Sequence, residues 1–139
     1  MTEERGRIVV LDDSWLILEK IREVLTGVGY QARTTTSVEV AAKLAKHADL
    51  VIIDFHMPDM NGAEALGAIK RAHTAGPGTE FYLYTSDPDQ AARYRAHGFD
   101  GAFLKKGDDV ALTQQVDAVF RTISLKKLAE RMRRERKSS

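Results

Sequence analysis

The stretch from Leu50 to Gly62, which reads LVIIDFHMPDMNG, decides the fold of this chain. Its first four residues form a short apolar run typical of a buried β-strand. Asp54 follows directly, so a carboxylate lies where this strand leaves the core, and ligands bind at that carboxyl edge in open α/β sheets. Pro58 and Asn61 then predict a turn. Asp54 is therefore a candidate metal ligand, general base or nucleophile.

Strands and helices alternate on both sides of this stretch. Apolar runs predict five strands: Ile8–Leu11, Gln31–Thr35, Leu50–Ile53, Phe81–Thr85 and Ala102–Leu104. A helical spacing of apolar residues follows each one, with Ser14 and Ser37 as N-caps of the first two helices. The fourth helix is expected to open at Asp87 and to end at Gly98. Five βα units with short connections predict a doubly wound α/β fold with a parallel sheet covered on both faces.

The composition narrows the class of protein. A chain of 139 residues is long enough for one domain with a real core, and 43% hydrophobic residues with 29% charged residues indicate a globular protein. The absence of cysteine excludes disulfides and cysteine-ligated zinc. The charged N-terminal residues contain no signal sequence core, and no apolar run reaches the ~20 residues of a membrane span. We therefore expect a cytoplasmic protein.

The charge is distributed unevenly. Residues 1–120 contain 13 Lys and Arg against 18 Asp and Glu, whereas residues 121–139 contain 8 against 2. We predict a domain over residues 1–123 and a basic, helical tail or linker over residues 124–139, with a break or bend near Ser124. The tail could be a solvated extension or a linker to an output domain, which we favour, or a surface for a partner protein. Binding of nucleic acid or an anionic membrane ranks lower, because the run has no aromatic residue and no DNA-binding motif.

Other chemically active residues follow the remaining strands. Asp12-Asp13 end the first strand, Thr85-Ser86 the fourth and Lys105-Lys106 the fifth. Clustered carboxylates favour a hard divalent cation with oxygen ligands, and Mg²⁺ suits such a site. Together with a lysine, the cation could neutralise a phosphoryl group and the aspartate that attacks it. Trp15 follows the acidic pair; we interpret it as a packing residue that could also report on metal binding.

These residues, in this order and spacing, give the chain a family resemblance. Over about residues 6–123 it resembles the receiver domains of bacterial two-component response regulators. The resemblance rests on these positions: Asp12-Asp13, Asp54 with Met57-Pro58 and Asn61-Gly62, Thr85, and Lys105. It implies a flavodoxin-like (βα)5 fold with strand order 2-1-3-4-5.

The resemblance also implies a mechanism. Asp54 would accept a phosphoryl group from a histidine kinase or a phosphotransfer protein. Asp13 and Asp54 would bind Mg²⁺ directly, His56 through its backbone carbonyl, and Asp12 largely through water. The output would be a changed contact with a downstream protein, and a homodimer remains open. The domain would assist its own phosphorylation and dephosphorylation without being a metabolic enzyme.

Thr85 and Lys105 would contact the phosphoryl oxygens, although Lys106 competes for the role of the lysine. We choose Lys105 because Gly98 lies seven residues before it and Leu112 seven residues after it, which are usual spacings in the family.

That choice exposes two departures from the family pattern. Ala102 falls where a switch tyrosine or phenylalanine is common, and the family's proline after the lysine is missing. Choosing Lys106 instead would place Phe103 at the switch position but would require an inserted residue. Both departures leave open a pseudo-receiver that binds proteins without being phosphorylated. A phosphohydrolase of the haloacid-dehalogenase type is a further alternative, but its Asp-x-Asp pattern after the first strand is absent here.

Overall fold

One parallel sheet organises the chain. The structure, a computed structural model, describes residues 5–72, 76, 78–104 and 106–138. The strands are β1 (Arg7–Leu11), β2 (Gln31–Thr35), β3 (Leu50–Asp54), β4 (Glu80–Tyr84) and β5 (Gly101–Phe103). Their order in the sheet is β2-β1-β3-β4-β5 with every pair parallel, which confirms the predicted flavodoxin-like (βα)5 topology.

Five helices connect and follow these strands. They are α1 (Trp15–Gly27), α2 (Val38–Ala45), α3 (Gly62–Arg71), α4 (Pro88–Ala92) and α5 (Asp109–Ser138). The side chains of Ser14 and Ser37 accept hydrogen bonds from the first turns of α1 and α2, as predicted. Asn61 and Glu64 form a capping box at the start of α3. Each cap sets the residue at which a loop from the carboxyl edge of the sheet ends and its helix begins.

The core has two layers, one on each face of the sheet. Ile8 and Val10 of β1 pack with α1 and α5, whereas Val9 and Leu11 pack with α2 and α3. Every residue of β3 is buried, as expected of the central strand of a doubly wound sheet. Burial of each large aliphatic side chain contributes about 1.5–3 kcal/mol. The carboxyl ends of β1 and β3 are therefore anchored on a rigid support.

The fourth helix is shorter than the sequence pattern indicates. The expectation that it runs to Gly98 is wrong, because α4 ends at Ala92 and residues 93–98 form turns. The backbone tightens at this point: Arg93 N donates to Gln90 O and Tyr94 N to Ala91 O, which are three-residue bonds. Gly98 still closes the segment with a φ of 92°.

Trp15 is not a packing residue. It is 67% exposed at the start of α1, which buries Leu18, Ile21 and Leu25 instead. The indole therefore lies in solvent, two residues from Asp13, where its fluorescence can respond to changes in the acidic cluster.

The last helix continues through the basic tail. No break occurs at Ser124, so that expectation is wrong, and α5 runs without interruption to Ser138. Lys126 and Lys127 form ion pairs of 2.7 Å with Glu80 and 3.1 Å with Asp49. The division into residues 1–123 and 124–139 stays a prediction. Among the described helices, none is both long and apolar enough to cross a membrane.

Candidate functional site

Three carboxylates meet at the carboxyl edge of the sheet. Leu11 pairs with Ile53 across β1 and β3, so Asp12 and Asp54 emerge side by side. Oxygens of Asp12, Asp13 and Asp54 all lie within 4.8 Å of one another. Asp12 and Asp54 are buried, at 2% and 4% exposure, while Asp13 is exposed. This set consists of oxygen ligands only, which fits Mg²⁺ and does not suit a soft metal.

Local hydrogen bonds hold Asp12 in place. Its backbone N donates to Thr35 O at 3.3 Å, which ties it to the end of β2. Its side-chain Oδ1 accepts a hydrogen bond from Ser14 N at 2.9 Å. Asp12 therefore serves two roles: it turns the chain into α1, and it keeps Oδ2 directed into the cluster.

The turn after β3 needs Gly62 because the backbone passes close to Asp54. A Cβ at position 62 would lie 2.8 Å from Asp54 O and 3.0 Å from Phe55 Cα. Gly62 N also donates to Phe55 O at 2.8 Å. The Asn61-Gly62 pair thus starts α3 and folds the loop back against the strand that carries Asp54.

Lys106 supplies the positive charge of the cluster. Its Nζ donates to Asp54 Oδ1 at 2.7 Å and to Asp12 Oδ2 at 3.0 Å, and its side chain is 16% exposed. Lys105, the lysine chosen from the sequence, lies outside the residues that the structure describes. The structure thus brings the competing lysine into contact with the acids, and the role of Lys105 stays a prediction.

Neighbouring residues on both sides fix the segment that carries Lys106. Gln115 of α5 accepts a hydrogen bond from Leu104 N at 2.8 Å and donates to Leu104 O at 2.9 Å. Gly107 N donates to Tyr84 OH at 3.3 Å, and Gly107 has a φ of 98°, which favours glycine. These anchors position Lys106 across the carboxyl edge from β5 to β3.

Burial and charge set the ionisation of the cluster. Burial raises the pKa of Asp54 above its ordinary value of 3.8, Asp12 raises it further, and the hydrogen bond from Lys106 opposes both. Burial alone would lower the pKa of Lys106, but its hydrogen bonds with Asp54 and Asp12 raise that pKa overall. The buried negative charge of Asp54 therefore has a net cost, which its hydrogen bond from Lys106 offsets only in part.

Asp54→Asn should stabilise the metal-free fold at pH 7. Because the folded state binds the Asp54 proton more tightly than the unfolded state, the ionised carboxylate destabilises the fold above its raised pKa. We expect a larger free energy of unfolding for the variant in urea with EDTA at pH 7. The gain should shrink as the pH falls through the raised pKa and vanish below the ordinary value of 3.8. A less stable variant at pH 7 would show that the Lys106 ion pair outweighs burial.

Thr85 and His56 line neighbouring loops and meet at Asp87. Thr85 is buried, and its Oγ1 accepts a hydrogen bond from Asp87 N at 3.1 Å. His56 Nε2 lies 3.5 Å from Asp87 Oδ2, so its exposed ring contacts the β4–α4 loop. Asp87 also caps α4. The role of the His56 carbonyl as a metal ligand stays a prediction.

Sequence reasoning missed two of these contacts. The cap by Asp87 was readable from Asp87-Pro88, but its contact with His56 joins two loops that no local pattern connects. The contact between the Tyr84 hydroxyl and Gly107 N likewise joins two segments that are distant in the sequence. Ala102 is partly buried on the α2–α3 face, while Phe103 is buried on the α1–α5 face against Tyr84 and Tyr82.

The fold and site together define a class of protein. A parallel 2-1-3-4-5 sheet with clustered acids and a lysine at its carboxyl edge is the arrangement of a receiver domain, and the receiver family consists of signalling domains rather than typical enzymes. Residues 8–117 match the family model of the response regulator receiver domain. The chain belongs to this family, which serves two-component systems.

Known proteins resemble the chain over different lengths. The virulence sensor protein BvgS of Bordetella bronchiseptica is 35% identical over 120 residues, which cover 80% of this chain and 10% of BvgS. The chemotaxis protein CheY of Treponema pallidum is 35% identical over 68 residues, 45% of this chain and 47% of CheY. The chain thus aligns with about a tenth and about half of these relatives.

Solved structures show the same fold. The chemotaxis protein CheY4 of Vibrio cholerae superposes with a TM-score of 0.70 over 82% of this chain and 98% of that protein, at 24% identity. At this level of identity, the likeness shows that the two proteins share a fold.

Proposed function

We propose that this chain is a phosphorylation-dependent switch in which Asp54 accepts a phosphoryl group from a histidine kinase or a phosphotransfer protein. One observation carries this proposal: the Asp54 carboxylate lies within 4.8 Å of two further acids and 2.7 Å from the Lys106 ammonium. That set combines a nucleophile, a divalent cation site and a fixed positive charge. Family membership supports the same conclusion. We place the protein in the cytoplasm, where kinases of this kind transfer their phosphoryl groups.

The acidic cluster is the proposed Mg²⁺ site. Asp13 and Asp54 would hold the ion directly, the His56 carbonyl would add a ligand, and Asp12 would act through water. Bound Mg²⁺ supplies positive charge that neutralises the phosphoryl oxygens. The exposure of Asp13 gives the ion a route from solvent, and the buried Asp12 is held by Ser14 N and cannot easily turn away.

In the proposed reaction, an Asp54 oxygen attacks phosphorus, and the bond from phosphorus to the donor's leaving atom breaks with its electron pair. The product is an acyl phosphate, which hydrolysis later returns to the carboxylate. Lys106 would then move from the Asp54 oxygen to a phosphoryl oxygen close by. Thr85 Oγ1 accepts from Asp87 N and so keeps its own proton for a hydrogen bond to the phosphoryl group.

The signal would leave the site through the β4–α4 loop. Thr85 is tied to Asp87, and Asp87 contacts His56, so movement of Thr85 toward a phosphoryl group would change both loops. With Lys106 as the phosphate-contacting lysine, Phe103 lies three residues before it, but that ring is buried against Tyr82 and Tyr84, so we place the coupling in these loops. The output would be a changed contact of the α4–β5–α5 face or the α5 extension with a downstream protein.

Small phosphodonors test this function. We expect incubation with acetyl phosphate and Mg²⁺ to add one phosphoryl group in intact-mass analysis, and EDTA to prevent the gain. Trp15 fluorescence should respond to Mg²⁺ and to beryllofluoride. If none of these responses occurs, the chain is a pseudo-receiver, the alternative that the missing aromatic and proline favour.

A further inference from the structure

A cavity of about 220 Å³ lies at the end of the sheet opposite Asp54. It is lined by Arg7 and Gln31, the first residues of β1 and β2, and by Arg33 farther along β2. Asp54 is the last residue of β3, so the acidic cluster and this cavity lie at opposite ends of the strands. Any ligand here would be independent of the phosphorylation chemistry.

The shape of the cavity follows from α2. This helix has only eight residues, and it packs on the sheet through small side chains, Ala41, Ala42 and Ala45. β2 is an edge strand, and only its last residue, Thr35, is buried. Val9 and Ala48, both buried, lie among the residues that line the resulting hollow.

The polar lining of the cavity is cationic. Its charged or ionisable residues are Arg7, Arg33, Lys43 and His47, and none of the described residues that line it is acidic. This concentration runs against the rest of the domain, because residues 1–120 contain 13 Lys and Arg against 18 Asp and Glu. Arg7 lies beside Asp49, whose carboxylate accepts a hydrogen bond from Arg7 N at 2.9 Å, so Arg33 and Lys43 carry the positive charge that an anion in the hollow would meet.

We propose that this cavity binds a small anion that carries two or more carboxylate or phosphate groups. Arg33 lies on β2 and Lys43 on α2, and both line the cavity, so an anion inside it would meet positive charge from the strand and from the helix. Gln31 adds an amide that can donate or accept, and Val9, Leu44 and Ala48 add apolar surface. The volume corresponds to about seven water molecules, which restricts the ligand to a small molecule.

Calorimetric titration of the whole chain tests the site. Citrate and pyrophosphate are the probes, in metal-free buffer at constant ionic strength, and they separate carboxylate from phosphate ligands. We expect saturable binding of at least one probe, weakened about tenfold or more in Arg33→Gln/Lys43→Gln, because each lost contact is a charged hydrogen bond. Both side chains are exposed, so this variant should fold, which thermal melting checks.

Two control variants make the result specific. Lys46→Gln makes the same kind of charge change at an exposed residue that does not line the cavity, and it should bind like the parent. Lys20→Gln removes an exposed charge on α1 that does not line the cavity, and it should also bind like the parent, which excludes nonspecific attraction to the surface. Absence of saturable binding for both probes, or equal loss in Lys46→Gln, would overturn the proposal.

Discussion

Asp54→Asn is expected to lose all phosphorylation by acetyl phosphate and Mg²⁺. The amide oxygen of asparagine is a poor nucleophile and cannot form an acyl phosphate, while its size keeps the contacts with Lys106 and the β3 backbone. Because Asp54 is buried, a neutral replacement should also leave the fold intact or more stable. Intact-mass analysis over a time course measures the loss, which should be complete.

Asp59→Asn is the matched control for this change. Asp59 belongs to the same loop and carries the same charge, but it is exposed and lies outside the acidic cluster. Its labelling rate should stay within about twofold of the parent, in line with the small energies of exposed charges. Labelling of Asp54→Asn at the parental rate would show that another residue accepts the phosphoryl group.

The second large effect concerns the two adjacent lysines. Lys106→Met removes the ammonium that contacts both Asp54 and Asp12, so the phosphoryl oxygens lose a charged partner. A charged hydrogen bond contributes about 1.5–3 kcal/mol, so we expect the labelling rate to fall roughly tenfold to a hundredfold. Pseudo-first-order rates at fixed acetyl phosphate and Mg²⁺ measure this fall.

Lys105→Met is the matched comparison, because it removes the same charge one residue earlier. If Lys106 contacts the phosphoryl group, Lys105→Met should keep a rate within about threefold of the parent, as expected for a charge beyond direct contact. The opposite pattern, with the larger loss in Lys105→Met, would restore the assignment made from the family spacing. Equal and small effects would remove both lysines from the reaction.

Sequence reasoning succeeded where the signal is local or periodic. The apolar run before Asp54 and the caps at Ser14 and Ser37 are local features, and the strand order was predicted from the family resemblance that the acids, Thr85 and the lysine support. The acidic cluster could be predicted because parallel strands bring their carboxyl ends to one edge. That rule alone is enough to predict that Asp12 and Asp54 lie close together, as they do in the structure.

The remaining features depend on contacts between distant segments. Which lysine reaches Asp54 depends on the contacts of Lys106's neighbours in the chain. Leu104 is bonded to Gln115 of α5, and Gly107 is bonded to Tyr84 of β4. Counting residues from Gly98 gives no information on these contacts, because they join segments that are distant in the sequence. The early end of α4 likewise follows from tight turns after Ala92, which helix propensity does not reveal. The cationic cavity gathers residues from two strands and a helix, so no single stretch of sequence indicates it.

Chemical mapping of the modified residue tests the central claim most directly. Borohydride reduces an aspartyl phosphate to homoserine, which marks the acceptor permanently for peptide sequencing by mass spectrometry. After treatment with acetyl phosphate and Mg²⁺, we expect homoserine at position 54 and at no other aspartate, with none when EDTA is present. Homoserine at Asp12 or Asp13, or at none of the three in a protein that has gained the phosphoryl mass, would contradict the assignment of Asp54 as the phosphoacceptor.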